Sequence, residues 1–256
     1  NGCKLKGIDV TSNVEKAIVF TNGATNVTLQ NCKFIADPAV ANSKWWYGEN
    51  YGTGNITIEN CRIEGFKDSL LFDANTTSAV PTIRLDHVKI KDCLFKNNLG
   101  SIATRGVTAD PNKSVTYVGN KIETNTLHAS FWDAFEANNT KKVICKDNEF
   151  IFPAGQELLA GKKGVLQTWS KSDKPWNIVY SGNKVSNIKF GIKIPLTNGF
   201  YVPDTTNDDF LIDLTATHTN VTYGMSVLYK KNDGTQSSAL KYHPAVGNQY
   251  TPVNIV

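Results

Sequence analysis

One nine-residue pattern recurs along most of this chain and constrains the fold more than any other feature. Asn26-Val27-Thr28-Leu29-Gln30-Asn31-Cys32-Lys33-Phe34 returns as Asn55-Ile56-Thr57-Ile58-Glu59-Asn60-Cys61-Arg62-Ile63. It returns again as His87-Val88-Lys89-Ile90-Lys91-Asp92-Cys93-Leu94-Phe95, with looser copies over 114–122, 142–150 and 177–185. Aligned on the Cys/Asn mark, the copies fall at 32, 61, 93, 120, 148 and 183, and Cys3 is read as one further mark before them. The spacings are then 29, 29, 32, 27, 28 and 35. A near-constant period of this length is the signature of a solenoid.

Each copy encodes two short strands around a bend. Apolar residues alternate before the mark, as in a strand with one buried face. Gly, Asn or Asp then precedes it, the residues that tolerate a sharp turn. Phe34, Ile63, Phe95, Ile122, Phe150 and Val185 follow as inward positions. A third strand is needed to close each coil. The candidates are Ile18-Val19-Phe20, Trp45-Trp46-Tyr47, Leu70-Leu71-Phe72-Asp73, Ile102-Ala103-Thr104-Arg105, 131–136, Val165-Leu166-Gln167-Thr168-Trp169 and Phe190-Gly191-Ile192-Lys193. Two apolar stacks are expected inside: Val27, Ile56, Val88, Val115, Val143 and Ile178, and Leu29, Ile58, Ile90, Tyr117, Cys145 and Tyr180.

The repeat predicts an all-β chain, a parallel β-helix of about seven coils over 1–194. The remainder, 195–256, loses the period and reads as a small irregular β cap, with an extra coil as the alternative and a trimerisation stem as a third reading. Asn232-Asp233-Gly234 marks a hairpin turn there. The opening Asn1-Gly2-Cys3-Lys4-Leu5 resembles the second half of the template, so the chain is expected to start in mid-coil as a fragment of a longer protein.

Across 1 to about 194 the repeat resembles the right-handed parallel β-helix of the pectin-lyase-like superfamily. That superfamily hosts lyases, hydrolases, epimerases, phage tailspikes and non-catalytic surface proteins, so the resemblance speaks to fold more than to activity. It implies an extracellular or cell-surface setting and a polysaccharide partner lying along the third-strand face. A larger parent chain or a homotrimer is the protein partner it allows.

Composition removes other classes. Lys+Arg number 27 against 23 Asp+Glu, a net charge of +4, too balanced for a nucleic-acid partner. No apolar run is long enough for a membrane span. Cys3, Cys32, Cys61 and Cys93 are expected to share one register as stacked buried thiols, continued by Asn120, Asn148 and Asn183; the competing reading is a thiol metal site. No histidine pair has metal-ligand spacing and no triple acidic cluster marks strong calcium binding, so no cofactor is expected, with weak calcium left open. The Asp-Asp, Gly-His-Gly and Arg-Ile-Lys motifs of polygalacturonase-like enzymes are not present in order.

The third-strand face holds the candidate site. Trp45, Trp46, Tyr47, Trp132 and Trp169 are expected to point outward and stack on sugar rings. Asp73, Asp133 and Glu136 could form the carboxylate pair of a glycosidase. Arg105, Lys193 and His128 could supply the base and charge neutralisation of a uronate lyase. Three functions follow: a polysaccharide lyase or hydrolase, a non-catalytic glycan-binding or adhesive module, and a structural shaft of a surface or phage-tail assembly. The first predicts acid and base converging beside the tryptophans, the second exposed aromatics without such convergence, the third buried tryptophans.

Overall fold

The computed structural model describes residues 2–20, 26–48, 54–68, 70–73, 85–106, 110–127, 133–159, 164–171, 176–194, 210–213, 217–230 and 236–238. They build a parallel β-solenoid with almost no helix. The first face is an eight-stranded parallel sheet of β1 (Cys3–Lys6), β4 (Val27–Gln30), β7 (Gly54–Glu59), β10 (Leu85–Lys91), β13 (Asn112–Val118), β16 (Thr140–Lys146), β19 (Asn177–Ser181) and β21 (Leu211–Ile212). The second face stacks β2 (Asp9–Ser12), β5 (Lys33–Ala36), β8 (Arg62–Glu64), β11 (Leu94–Lys96), β14 (Lys121–Glu123) and β17 (Glu149–Ile151). The third stacks β3 (Lys16–Phe20), β6 (Lys44–Gly48), β9 (Leu70–Asp73), β12 (Ile102–Arg105), β15 (Phe135–Asn138) and β18 (Gly164–Trp169).

The second and third faces fuse at the last full layer. β20 (Lys184–Ile194) continues through the corner with a bend at Asn187, φ 57°, pairing with β17 at its start and with β18 at its end. β22 (His218–Lys230) lies parallel to β20, and β23 (Gln236–Ser238) turns back antiparallel on β22. β21 pairs parallel with β19 and β22 with β20, so strand pairing continues beyond residue 194. The solenoid has about five turns, where the repeat predicts about seven coils. The corners that carry the third face into the next coil, 21–25, 49–53, 74–84, 107–109 and 172–175, lie outside the described residues.

The interior follows the repeat. The two expected first-face stacks are buried to 2% exposure or less, and strand register aligns them coil on coil. Phe34, Ile63, Phe95, Ile122, Phe150 and Val185 close the core from the second face. The first bend is the most regular element. Gly7, Asn31, Asn60, Asp92, Gly119, Asp147 and Gly182 all have φ between 53 and 66°. This left-handed conformation favours Gly, Asn and Asp, which explains why only those residues precede the mark. At Gly119 and Gly182 the carboxylates of Asp92 and Asp147 lie where a Cβ would stand and would have to swing aside for a larger residue.

The stacked register differs from expectation in the first coil. Cys3 pairs with Val27, and Asp9 pairs with Lys33, so the residue beneath Cys32 is Ile8. The first spacing is therefore 24, from Ile8 to Cys32, and Cys3 is an exposed residue of a first-face strand. The alignment on Cys3 matched a residue type rather than a place in the coil.

Above Ile8 the bend is lined first by thiols and then by amides. The Cys32 and Cys61 N–H groups donate to Cys61 Sγ and Cys93 Sγ, both at 3.4 Å. Each of the three thiols donates to the carbonyl two residues before it, Gln30, Glu59 and Lys91, at 3.2–3.3 Å. Thiol contact splits the upper pair: Cys61 is pulled down to about 7 by its hydrogen bond from Cys93, while that bond and burial push Cys93 up. From Cys93 onward the acceptors are amide oxygens of Asn120, Asn148 and Asn183, at 2.9–3.0 Å.

Candidate functional site

Period-two alternation sorts the third face into an inner and an outer row. Ile102, Thr104, Phe135, Ala137, Leu166 and Thr168 are buried on the inner side. The outer side carries two lines parallel to the solenoid axis. Arg105, Asn138 and Trp169 are direct neighbours in one line, and the backbone of β9 is in register with it at position 73. Ala103, Glu136, Gln167 and Lys193 are neighbours in the other.

The charged members pair with one another. Arg105 approaches Glu136 with two nitrogens, Nε to Oε1 at 3.2 Å and Nη2 to Oε2 at 3.3 Å. Such forked contact fixes both planes. Asn138 Nδ2 donates to the same Glu136 Oε1. The Arg105 side chain keeps 42% exposure while that of Glu136 keeps 11%, so the cation faces solvent and the carboxylate sits behind it. One coil layer deeper, Lys193 Nζ lies 2.7 Å from Asp133 Oδ2, although the two are 60 residues apart in sequence. Their side chains are 6% and 2% exposed. Burial is the main cause that raises the Asp133 carboxyl from 3.8 to about 7; the Lys193 charge opposes the rise and the Glu136 charge adds to it.

A rigid floor supports this row from inside the coil. Tyr117 of β13 stacks on Phe135 at 3.9 Å with an interplanar angle of 2°. Its hydroxyl reaches across the core to donate to the Glu136 carbonyl at 3.1 Å and shares a 3.2 Å hydrogen bond with Thr104 Oγ1. Burial pushes the Tyr117 phenol up, so it remains a neutral donor. Phe135 in turn packs edge-on against Phe150 at 5.5 Å.

The structure brings Arg105, Asp133, Glu136 and Lys193 together and leaves others apart. Trp45 and Trp46 are both fully buried. Trp45 packs on Phe34 and Phe95 with centroids 5.5 and 6.2 Å away, and Trp46 meets Trp45 edge-on at 6.0 Å. Neither presents a ring to a ligand, which corrects the expectation that this strand offers a tryptophan platform: Trp45 packs among the inward rings of Phe34 and Phe95, and Trp46 is buried beside it. Trp169 is half-buried, with Lys171 Nζ 5.8 Å from its ring centre. Tyr47 and Asp73 lie on β6 and β9, but their side chains are outside the described ones, and His128 and Trp132 lie outside the described residues altogether. Asn138, Gln167 and Lys171 were not singled out from sequence. Starting the strand at Phe135 rather than 131 and reading every second residue from Glu136 reaches Asn138.

Among the described residues no group of three His, Cys, Asp or Glu side chains gathers as a metal site. No helix of the described residues is long and apolar enough to cross a membrane. No family model, no curated protein and no solved structure matches the chain.

Proposed function

We propose that this chain is an extracellular glycan-binding module built on a right-handed β-helix of the pectin-lyase-like type, engaging a polysaccharide along the outer row of its third face. The observation that carries the reading is the alignment of Arg105, Asn138 and Trp169 in one register along the axis, with Glu136 held behind Arg105. Neighbouring strands set such side chains at steps of ~4.8 Å, so an extended sugar chain parallel to the axis can meet the exposed Arg105 cation and, two strands on, the half-buried Trp169 ring, while the buried Asn138 amide between them holds Glu136. Binding suits this arrangement better than turnover. The acid and base candidates are engaged with one another, Glu136 with Arg105 and Asp133 with Lys193, and the last pair is closed off from solvent.

Catalysis is the second reading, favoured by the convergence of Arg105, Glu136, Asp133 and Lys193 on one face. A glycosidase would use Glu136 with Asp73 or Asp133, and a lyase Arg105 with Lys193. One panel separates the readings: acidic and neutral polysaccharides are followed for binding by calorimetry, for unsaturated products near 235 nm, and for new reducing ends. The binding module retains at least one glycan without forming product, and Trp169→Ala or Arg105→Ala weakens retention by about tenfold, ~1.4 kcal/mol. Product formation shifts the reading to an enzyme. Absence of any retained glycan leaves the structural shaft.

A further inference from the structure

The buried Lys193–Asp133 contact has a geometry that surface ion pairs lack. Nζ and Oδ2 are 2.7 Å apart, and both residues are at least 95% buried. The two residues come from different layers: Asp133 precedes β15, Lys193 ends β20, and β18 lies between them. Gly164 of β18 makes the approach possible. A Cβ there would stand 3.0 Å from Asp133 Oδ1 and 3.2 Å from Phe190 Cβ. Asp133 Oδ1 packs against this backbone and makes no hydrogen bond of normal geometry. Burial of both charges in such a place favours proton transfer along the contact, leaving an amine facing a carboxylic acid. A second carboxylate, Glu136, is near enough for its charge to disfavour ionisation of Asp133, and Arg105 holds it at 3.2 Å.

We propose that Lys193 and Asp133 join in an intramolecular amide bond. The ammonium gives one proton to the Asp133 carboxylate. The neutral Nζ attacks Cγ and forms the N–C bond. The proton that the nitrogen must then shed passes to the departing hydroxyl. The C–O bond breaks and one water leaves, so amine plus acid become amide plus water, with no oxidant, metal or nucleotide consumed. The product is a covalent staple across three layers of the third face. It does not depend on whether a glycan binds that face.

Intact mass of the purified 256-residue chain tests this directly. Ligation removes one water, about 18 Da, from the sequence mass. Trypsin then skips Lys193 and yields a branched species joining 122–141 to 190–230. Lys193→Met and Asp133→Ala restore full mass while the β-sheet circular dichroism persists. Loss of the staple lowers the Tm by roughly 10 °C. A wild-type chain at full sequence mass overturns the proposal. So does a water loss that maps to Asp233-Gly234, where a succinimide would form, or one that survives Lys193→Met.

Discussion

The bend between the first and second faces is built twice in this molecule, from different chemistry. In the early coils Cys32, Cys61 and Cys93 fill it, with N–H to Sγ contacts of 3.4 Å. In the late coils Asn120, Asn148 and Asn183 fill the same register, with N–H to Oδ1 contacts of 2.9–3.0 Å. Each late amide also donates backwards, to Ile90, Tyr117 and Cys145 carbonyls, at 2.9 Å. One Asn thus ties its coil to its neighbours through short amide contacts, whereas one Cys accepts at longer range and donates chiefly to the carbonyl two residues before it. The late half also holds the Lys193–Asp133 contact. The early half ends in a coil whose apolar residues Leu5, Ile8, Val10, Ala17 and Ile18 are only partly buried. Identical backbone paths can therefore carry quite different amounts of polar specification.

The sharpest way to break this comparison is to remove one member of each kind. Asn148→Ala leaves the Asn120 N–H without its side-chain acceptor and removes a donor from the Tyr117 carbonyl, and is expected to cost roughly 3 kcal/mol. Cys61→Ala removes a weak acceptor and a small apolar volume and is expected to cost only about 1–2 kcal/mol. Urea unfolding of the two variants measures both, and equal losses would mean that the two ladders do the same job.

A pH titration separates the halves next. Lys193→Arg keeps a cation but cannot form the amide, so Asp133 still titrates. Its carboxyl is raised in the folded state from 3.8 to about 7, hence the folded chain holds that proton more tightly than the unfolded one. The resulting stabilisation is complete below pH ~4 and lost as pH rises through ~7. The Tm of this variant should fall by roughly 5 °C across that window relative to the same variant carrying Asp133→Asn. A flat difference between the two would place no buried titrating carboxyl at this position.

Extending the amide ladder downward is a milder test. Cys93 Sγ already points at the Ile58 carbonyl, 3.7 Å away, which is the relation that Asn120 has to Ile90. Cys93→Asn is thus expected to be neutral or to stabilise by up to ~1 kcal/mol. A loss above ~2 kcal/mol would show that the early bends cannot accept an amide. The smallest effect concerns labelling of the native chain with iodoacetamide. Cys3 is exposed while Cys32, Cys61, Cys93 and Cys145 are buried, so one adduct should form quickly and four only on unfolding. Rapid labelling of Cys32 would place the early ladder on the surface.

Legibility from sequence tracked how local the cause was. The bends were readable because a φ near 55° selects Asn, Asp or Gly whatever surrounds it. The inward stacks were readable because strands alternate. Cys3 misled for the same reason that repeats are useful: a matching residue type stood 29 before Cys32, but the first coil is shorter and Ile8 occupies the place. Trp45 and Trp46 misled because hydrophobic rings suit both a core and a sugar platform, and adjacent residues cannot both face the same way on a strand. Asp133 and Lys193 were each suspected, yet nothing at a separation of 60 residues announces a 2.7 Å contact.

The sequence by itself determined the parallel β-solenoid, the bends and the apolar ladders. Those depend on backbone conformation and on which of two faces a side chain takes, and both are written in neighbouring residues. Only the tertiary structure decided the register of the first coil, the burial of the paired tryptophans and the pairing of Arg105 with Glu136 and Lys193 with Asp133. These depend on coil length, on what lies above and below each strand, and on how much water is excluded, none of which is a property of any single repeat.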